Sequence, residues 1–186
     1  MNLYFLTSNK FKFKVAKKIL EKYNINLLQE KTENVEIQNL DLGKVASFAA
    51  LYASRRLGKP FIKVDCGLFI NALNGFPGAY TSDINKTIGY KGILKLMESI
   101  EDRSALWKDA LAFATPSGFS KVFISKTPHE IVLKPRGQGE WPLDSIMKPI
   151  NTDKVLAQMD TEEMLKHWKT TVFNQLGSFL KNNYNE

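Results

Sequence analysis

Apolar and polar positions alternate along this chain in two rhythms, and the switches between them mark out its elements. Asn2 to Thr7 reads NLYFLT, an apolar run suited to a buried first strand. Ser8-Asn9 follows, with side chains able to cap a helix. Phe11, Phe13, Val15, Ile19 and Leu20 then recur among Lys10, Lys12, Lys14, Lys17 and Lys18, the pattern of a basic amphipathic helix. Ile25 to Leu28 and Val35 to Ile37 read as short strands separated by a polar loop. A period of two turns Glu36 away from Val35 and Ile37. Asp41 to Leu57 predicts a second helix with Val45, Phe48, Ala49 and Tyr52 on one side, ended by Leu57-Gly58-Lys59-Pro60.

The next run, Phe61, Ile62 and Val64, ends in Asp65, and Leu68-Phe69-Ile70 resumes it beyond Gly67. Asn71-Ala72-Leu73 leads into Gly75-Phe76-Pro77-Gly78-Ala79-Tyr80, a turn whose two glycines let backbone come close to a ligand. Ser82 to Glu101 predicts helix, with Gly89-Tyr90-Lys91-Gly92 as the place for a break and Ile93, Leu94, Leu96 and Met97 as its core face. Leu106 to Ala114 and Ser120 to Ser125 read as a hairpin around Thr115-Pro116-Ser117-Gly118. His129 to Leu133 is a further strand, before a loop from Pro135 to Pro142. Thr161 to Tyr184 predicts a closing helix with Met164, Leu165, Trp168, Phe173, Leu176 and Leu180 as core positions. The architecture expected is mixed α/β with a predominantly β middle, and no repeat, low-complexity segment or linker interrupts it.

Length fits this picture, since 186 residues suit one compact domain of one lobe or two. No apolar run is long enough to span a bilayer, and MNLYFLTSNKFKFK lacks the apolar stretch and cleavage site of a signal peptide, so a cytoplasmic protein is expected. Cys66 is the single cysteine, which excludes an internal disulfide. With only His129 and His167 beside it, the sequence also speaks against a structural zinc site. The net charge of +7 suits a polyanionic partner. The lysines are dispersed, which favours a small anionic ligand or a solvated basic face over a nucleic-acid track.

Two places carry chemistry on their own terms. A strand, a short polar turn and a helix N-terminus offer free backbone N–H groups to an anion, and Lys10 and Lys12 add charge there. Asp65 is flanked by apolar residues, and a carboxylate so placed needs a cation or donors unless it is an incidental acid of a buried strand.

Taken in order, the motifs resemble those of the inosine triphosphate pyrophosphatase family. Thr7-Ser8-Asn9-Lys10-Phe11-Lys12 is similar to its T-x-N-x-x-K opening, and Glu36-Ile37-Gln38 to its E-I-Q segment. Val64-Asp65-Cys66-Gly67-Leu68 resembles the acid-acid-Ser/Thr-Gly-Leu motif, and Asn71-Ala72-Leu73, Gly75 and Pro77-Gly78-x-Tyr80 the turn after it. Gly92-Ile93-Leu94-Lys95-Leu96-Met97 and Glu101-Asp102-Arg103-Ser104-Ala105 continue the match, which holds in order and spacing from Thr7 to about Pro116. The resemblance implies an elongated α/β fold, a mixed sheet with flanking helices forming two lobes around a central cleft. It implies hydrolysis of aberrant purine nucleoside triphosphates (ITP, dITP, XTP) between the α- and β-phosphates, to monophosphate and pyrophosphate. It also implies Mg²⁺, with Mn²⁺ as the candidate substitute, and a homodimer. Asp65 becomes the catalytic carboxylate and, with Glu36, a metal ligand. Thr7, Asn9, Lys10 and Lys12 become the phosphate contacts.

The C-terminal third departs from the family. Arg136-Gly137-Gln138-Gly139-Glu140-Trp141-Pro142-Leu143-Asp144-Ser145-Ile146-Met147 keeps the length of the family loop R-G-x-x-G-F-G-Y-D-P-I-F, with Arg136, Gly137, Asp144 and Ile146 matching. Trp141 stands at an aromatic position that stacks on the base, so Trp141 and Asp144 are expected in substrate binding. His167 aligns with a base-reading histidine, while Trp168 takes the place of an arginine. A tryptophan lacks the donor fork an arginine offers a carbonyl oxygen, so weaker selection for 6-oxopurines is expected. Val64 replaces the first acid of the acidic motif, Cys66 its Ser/Thr, and Phe48 a lysine in the second helix. The rival expectations are a homologue that binds nucleotide or a partner without turnover and, with less in its favour, a nucleic-acid binder.

Overall fold

The opening apolar run becomes strand β1 (Asn2–Leu6), and the basic amphipathic segment becomes helix α1 (Lys10–Leu20). These and all positions below come from a computed structural model that describes residues 1–32, 35–139, 141–167 and 172–184. α1 carries the chain to β2 (Asn26–Glu30), which pairs parallel with β1 from Asn2↔Asn26 to Leu6↔Glu30. α2 (Leu42–Leu57) is capped by Asp41, whose side chain accepts from the N–H groups of Gly43 and Lys44, and it ends at Gly58 with φ 65°. β3 (Phe61–Ile70) follows, parallel to β1 through Tyr4↔Phe61 and Phe5↔Ile62.

The remaining elements are β4 (Pro77–Gly78), α3 (Thr81–Lys86), α4 (Gly89–Leu96), β5 (Ser104–Ala114), β6 (Ser120–Ile131), β7 (Met147–Pro149), α5 (Thr161–His167) and α6 (Val172–Asn183). The sheet is mixed, in the order β2-β1-β3-β5-β6-β7, with β4 paired antiparallel on β3 and β7 antiparallel on β6. Among the described residues no helix is long and apolar enough to cross a membrane.

The chain divides into two compact units. Unit 1 is Met1–Asp65, Asp109–Ser125 and Thr170–Glu186, and unit 2 is Cys66–Lys108 and Lys126–Lys169. Unit 1 is held by a core of Leu3, Phe5, Leu20, Leu27, Ile62, Phe113 and Leu176, with α1 and α6 contributing one face each. Unit 2 has its own core, in which Leu68, Ile70, Ile93, Met97, Trp107, Leu143 and Met147 are buried together.

Several expected elements are corrected. Val35 to Ile37 is not a strand; 35–39 has no regular secondary structure. Half-burial still alternates there, with Glu36 exposed between Val35 and Ile37, so the period-two signal reports an extended segment without a pairing strand. On α2 the expected Val45 and Ala49 are buried, with Ala46, Ala50 and Ala53 beside them, while Phe48 and Tyr52 are exposed and stack on each other with centroids 6.4 Å apart. Ser120 to Ser125 and His129 to Leu133 are not separate strands, because β6 runs through Pro128, whose carbonyl still accepts from the Ile150 N–H. The break between α3 and α4 falls at Thr87-Ile88, ahead of Gly89 (φ 57°), where the Thr87 hydroxyl donates to the Asp83 carbonyl at 2.8 Å. Trp168 and the Leu165 side chain lie outside the described residues.

Candidate active site

The residues expected at the phosphate and metal end all belong to unit 1. β1 is followed by Thr7, whose Oγ1 accepts from the Asn9 N–H at 3.1 Å. Asn9 is the N-cap of α1, and its Oδ1 accepts from the Lys12 N–H at 2.9 Å. The Thr7 carbonyl accepts from Gln29 Nε2 at 2.9 Å, which ties this turn to β2. The turn is thus shaped by the oxygens of Thr7 and Asn9. What these side chains offer outward is their donors: the Thr7 hydroxyl hydrogen and the Asn9 amide hydrogens, beside Lys10 and Lys12. A donor-rich first turn of a helix suits an anion.

Glu36 is paired with a residue that the motif reading passed over. Lys63 Nζ lies 2.8 Å from Glu36 Oε1, and Lys63 is only 9% exposed. Residues i and i+2 of a strand share a face, so Lys63 fastens Glu36 to the face of β3 that carries Asp65. Val64 turns the other way and packs against the unit 1 core. The acid that Val64 replaces is therefore not missing from the Asp65 face. A lysine inside an otherwise apolar run was the visible signal for Lys63. Among the described residues no three His, Cys, Asp or Glu side chains gather to hold a metal. A carboxylate on β3, Asp65, and a second one paired with the same strand through Lys63, Glu36, suit a hard cation that completes its shell with phosphate and water oxygens.

The residues expected at the base end all belong to unit 2. Trp141 is half-buried and meets Trp107 edge-on, with centroids 6.0 Å apart. Asp144 lies in the single helical turn Pro142–Ser145, its N–H donating to the Trp141 carbonyl at 3.0 Å. Asn85 of α3 accepts from the Leu143 N–H at 3.0 Å, and Arg136 N–H donates to the Ser145 carbonyl at 2.9 Å. These bonds hold the loop that carries Trp141 and Asp144. Burial pushes the Asp144 carboxyl up to about 6.

His167 closes α5, and its Nε2 lies 3.2 Å from Nε2 of His129 on β6. The rings are nearly perpendicular, at 86°. His129 is 2% exposed, and its Nδ1 lies 2.9 Å from the Thr127 carbonyl. Burial pulls His129 down to about 4; the Thr127 bond opposes the shift and the His167 charge adds to it. Burial lowers His167 as well. Nothing in the local sequence pairs two histidines so far apart.

The shifts at Asp144 and His129 oppose each other. Asp144 binds its proton more tightly in the fold, so it contributes stability at low pH that is lost as pH rises from 3.8 through about 6. His129 is held neutral, so it contributes stability above 6.5 that is lost as pH falls toward about 4. Asp144→Asn removes the first contribution alone. The variant is expected to be more stable than the parent at neutral pH, by on the order of 1–2 kcal/mol allowing for partial exposure of the site. It should also lose stability more steeply on acidification through the histidine range. Thermal midpoints of both proteins across that range check the sign.

A profile of the Ham1 family matches residues 3–169 of this chain. A dITP/XTP pyrophosphatase of Thermococcus kodakarensis is 39% identical over 163 residues, which is 88% of each chain. One from Methanopyrus kandleri is 35% identical over 184 residues, 98% of each chain. The solved structure of a HAM1 protein from Coxiella burnetii shares the fold with a TM-score of 0.87 at 21% identity, over 98% of this chain and 99% of that one. This chain belongs to the Ham1 family.

Proposed function

We propose that this chain is a nucleoside triphosphate pyrophosphohydrolase that cleaves ITP, dITP and XTP between the α- and β-phosphates, releasing pyrophosphate and the monophosphate. Near full-length identity of 35–39% to dITP/XTP pyrophosphatases carries the reading. In this reading unit 1 supplies the triphosphate contacts: Thr7, Asn9, Lys10 and Lys12 donate to phosphate oxygens. Asp65 orients the attacking water and takes its proton, and Asp65 and Glu36 hold Mg²⁺, which Mn²⁺ can replace. When bound, the ion would neutralise charge developing on the phosphates. Trp141, Asp144 and His167 are the base contacts of the same reading. In the same reading the enzyme works in the cytoplasm as a homodimer.

A pyrophosphate-release panel over ITP, dITP, XTP, the four common NTPs and modified pyrimidines tests this. The expected result is fastest release from the 6-oxopurine nucleotides. Nucleotide-induced thermal stabilisation with no release from any of them would instead identify a binding protein without turnover.

Lys63 bears on the metal. Its ammonium meets Glu36 at 2.8 Å and so competes with a cation for that carboxylate. Lys63→Met is expected to bind Mn²⁺ roughly tenfold more tightly in the absence of nucleotide, since one repelling charge is gone. Titration followed by Mn²⁺ electron paramagnetic resonance reads this directly. Unchanged affinity would remove Glu36 from the metal site.

A further inference from the structure

The two imidazoles form a directed chain. A carbonyl oxygen can only accept, so the His129 Nδ1 that meets the Thr127 carbonyl at 2.9 Å carries the hydrogen. A neutral imidazole has one N–H, and His129 is buried, so its Nε2 presents a lone pair. The His167 Nε2 at 3.2 Å must then be the donor. Neutral His167 in turn keeps its own lone pair on Nδ1. The backbone of Thr127 thereby sets the tautomer of a residue in α5, through His129.

We propose that His129 is a positioning residue that locks His167 as the Nε2–H tautomer, so that His167 offers Nδ1 as a hydrogen-bond acceptor to the N1–H of a 6-oxopurine. The second half rests on the reading of His167 as a base contact. The chemistry discriminates because N1 of hypoxanthine or xanthine carries a hydrogen, whereas N1 of adenine is itself an acceptor. Adenine would bring two lone pairs together and leave both unpaired, which costs binding. The other tautomer of His167 would reverse that preference.

The chain has only two histidines, so a two-bond ¹H–¹⁵N spectrum of the ¹⁵N-labelled protein shows two imidazoles and no others. One Nδ1–H and one Nε2–H pattern are expected. In His129→Phe the acceptor is gone, and His167 should become a mixture of tautomers. In His129→Gln, Oε1 can stand near the lost Nε2 and accept, so His167 should return to Nε2–H. Two imidazoles of the same tautomer in the parent, or an unaltered His167 in His129→Phe, would overturn the lock. For the base, His129→Phe should raise KM for dITP roughly tenfold relative to dATP, with kcat for dITP held and KM restored by His129→Gln. A shifted tautomer with an unaltered dITP-to-dATP ratio overturns the contact between His167 and the base. Absence of turnover with every nucleotide overturns the pyrophosphohydrolase reading, while the spectra still decide the lock.

Discussion

Asp65→Asn is expected to lower pyrophosphate release from dITP by at least about a thousandfold, because the proposed mechanism gives this one side chain two functions. The amide is isosteric, so the strand should be undisturbed. It cannot take a proton from the attacking water, and it is a weak ligand for a hard cation. Asp65 shares a face of β3 with Lys63, and Lys63 holds Glu36 at 2.8 Å, so loss of the Asp65 charge leaves one carboxylate already matched by a lysine. Supplying more Mg²⁺ should therefore recover little of the rate. The thermal midpoint should stay near that of the parent, which separates lost chemistry from lost fold. Release within about tenfold of the parent would move the base role elsewhere.

The parts of this fold that were legible in the sequence are those whose causes are local. Asn9 and Gly58 act on backbone within one helical turn and sit where the caps were expected, and Asp41, expected as the first residue of α2, is its cap. Choices made by distant partners were not legible. In α2 the expected Val45 and Ala49 are buried, but the larger Phe48 and Tyr52 are not, and the places beside them in the core are taken by Ala46, Ala50 and Ala53. Close packing of a helix on a sheet selects small residues, which a hydrophobicity pattern ranks low. The expected strands stopped at Ser125 and resumed at His129, on either side of Pro128, but β6 continues through Pro128, which has no N–H to donate and uses its carbonyl.

The candidate site divides in the same way. The order of motifs placed Thr7, Asn9, Lys12, Glu36 and Asp65 in one group, and all five lie in unit 1. The ion pair of Lys63 with Glu36 and the contact of His129 with His167 join residues remote in sequence, which no local spacing encodes. Val64 shows the converse. As a motif position it reads as a lost acid, whereas strand alternation turns it toward the unit 1 core.

The largest expected loss of stability comes from a residue with no side chain. Gly67 lies buried on β3, and a Cβ there would run into the Gly78 carbonyl and come within 3.2 Å of Thr81 Oγ1. Neither neighbour can yield cheaply. The buried Thr81 hydroxyl donates to the Gly78 carbonyl at 2.6 Å and accepts from the Leu68 N–H at 2.8 Å. Leu68 also pairs with Gly78 across β3 and β4. Moving Gly78 aside breaks this knot, and Gly78 itself stands at φ 59°, where few other conformations are open to the turn. Gly67→Ala is therefore expected to cost about 3 kcal/mol, at the upper end for one added methyl group, because the obstacle is backbone. In a chain of this size that corresponds to a fall of roughly 6–12 °C in the thermal midpoint. Circular dichroism melts of parent and variant read the shift. A fall of less than about 2 °C would mean that the turn can open to admit a methyl group, and that a glycine is needed there for something other than close approach.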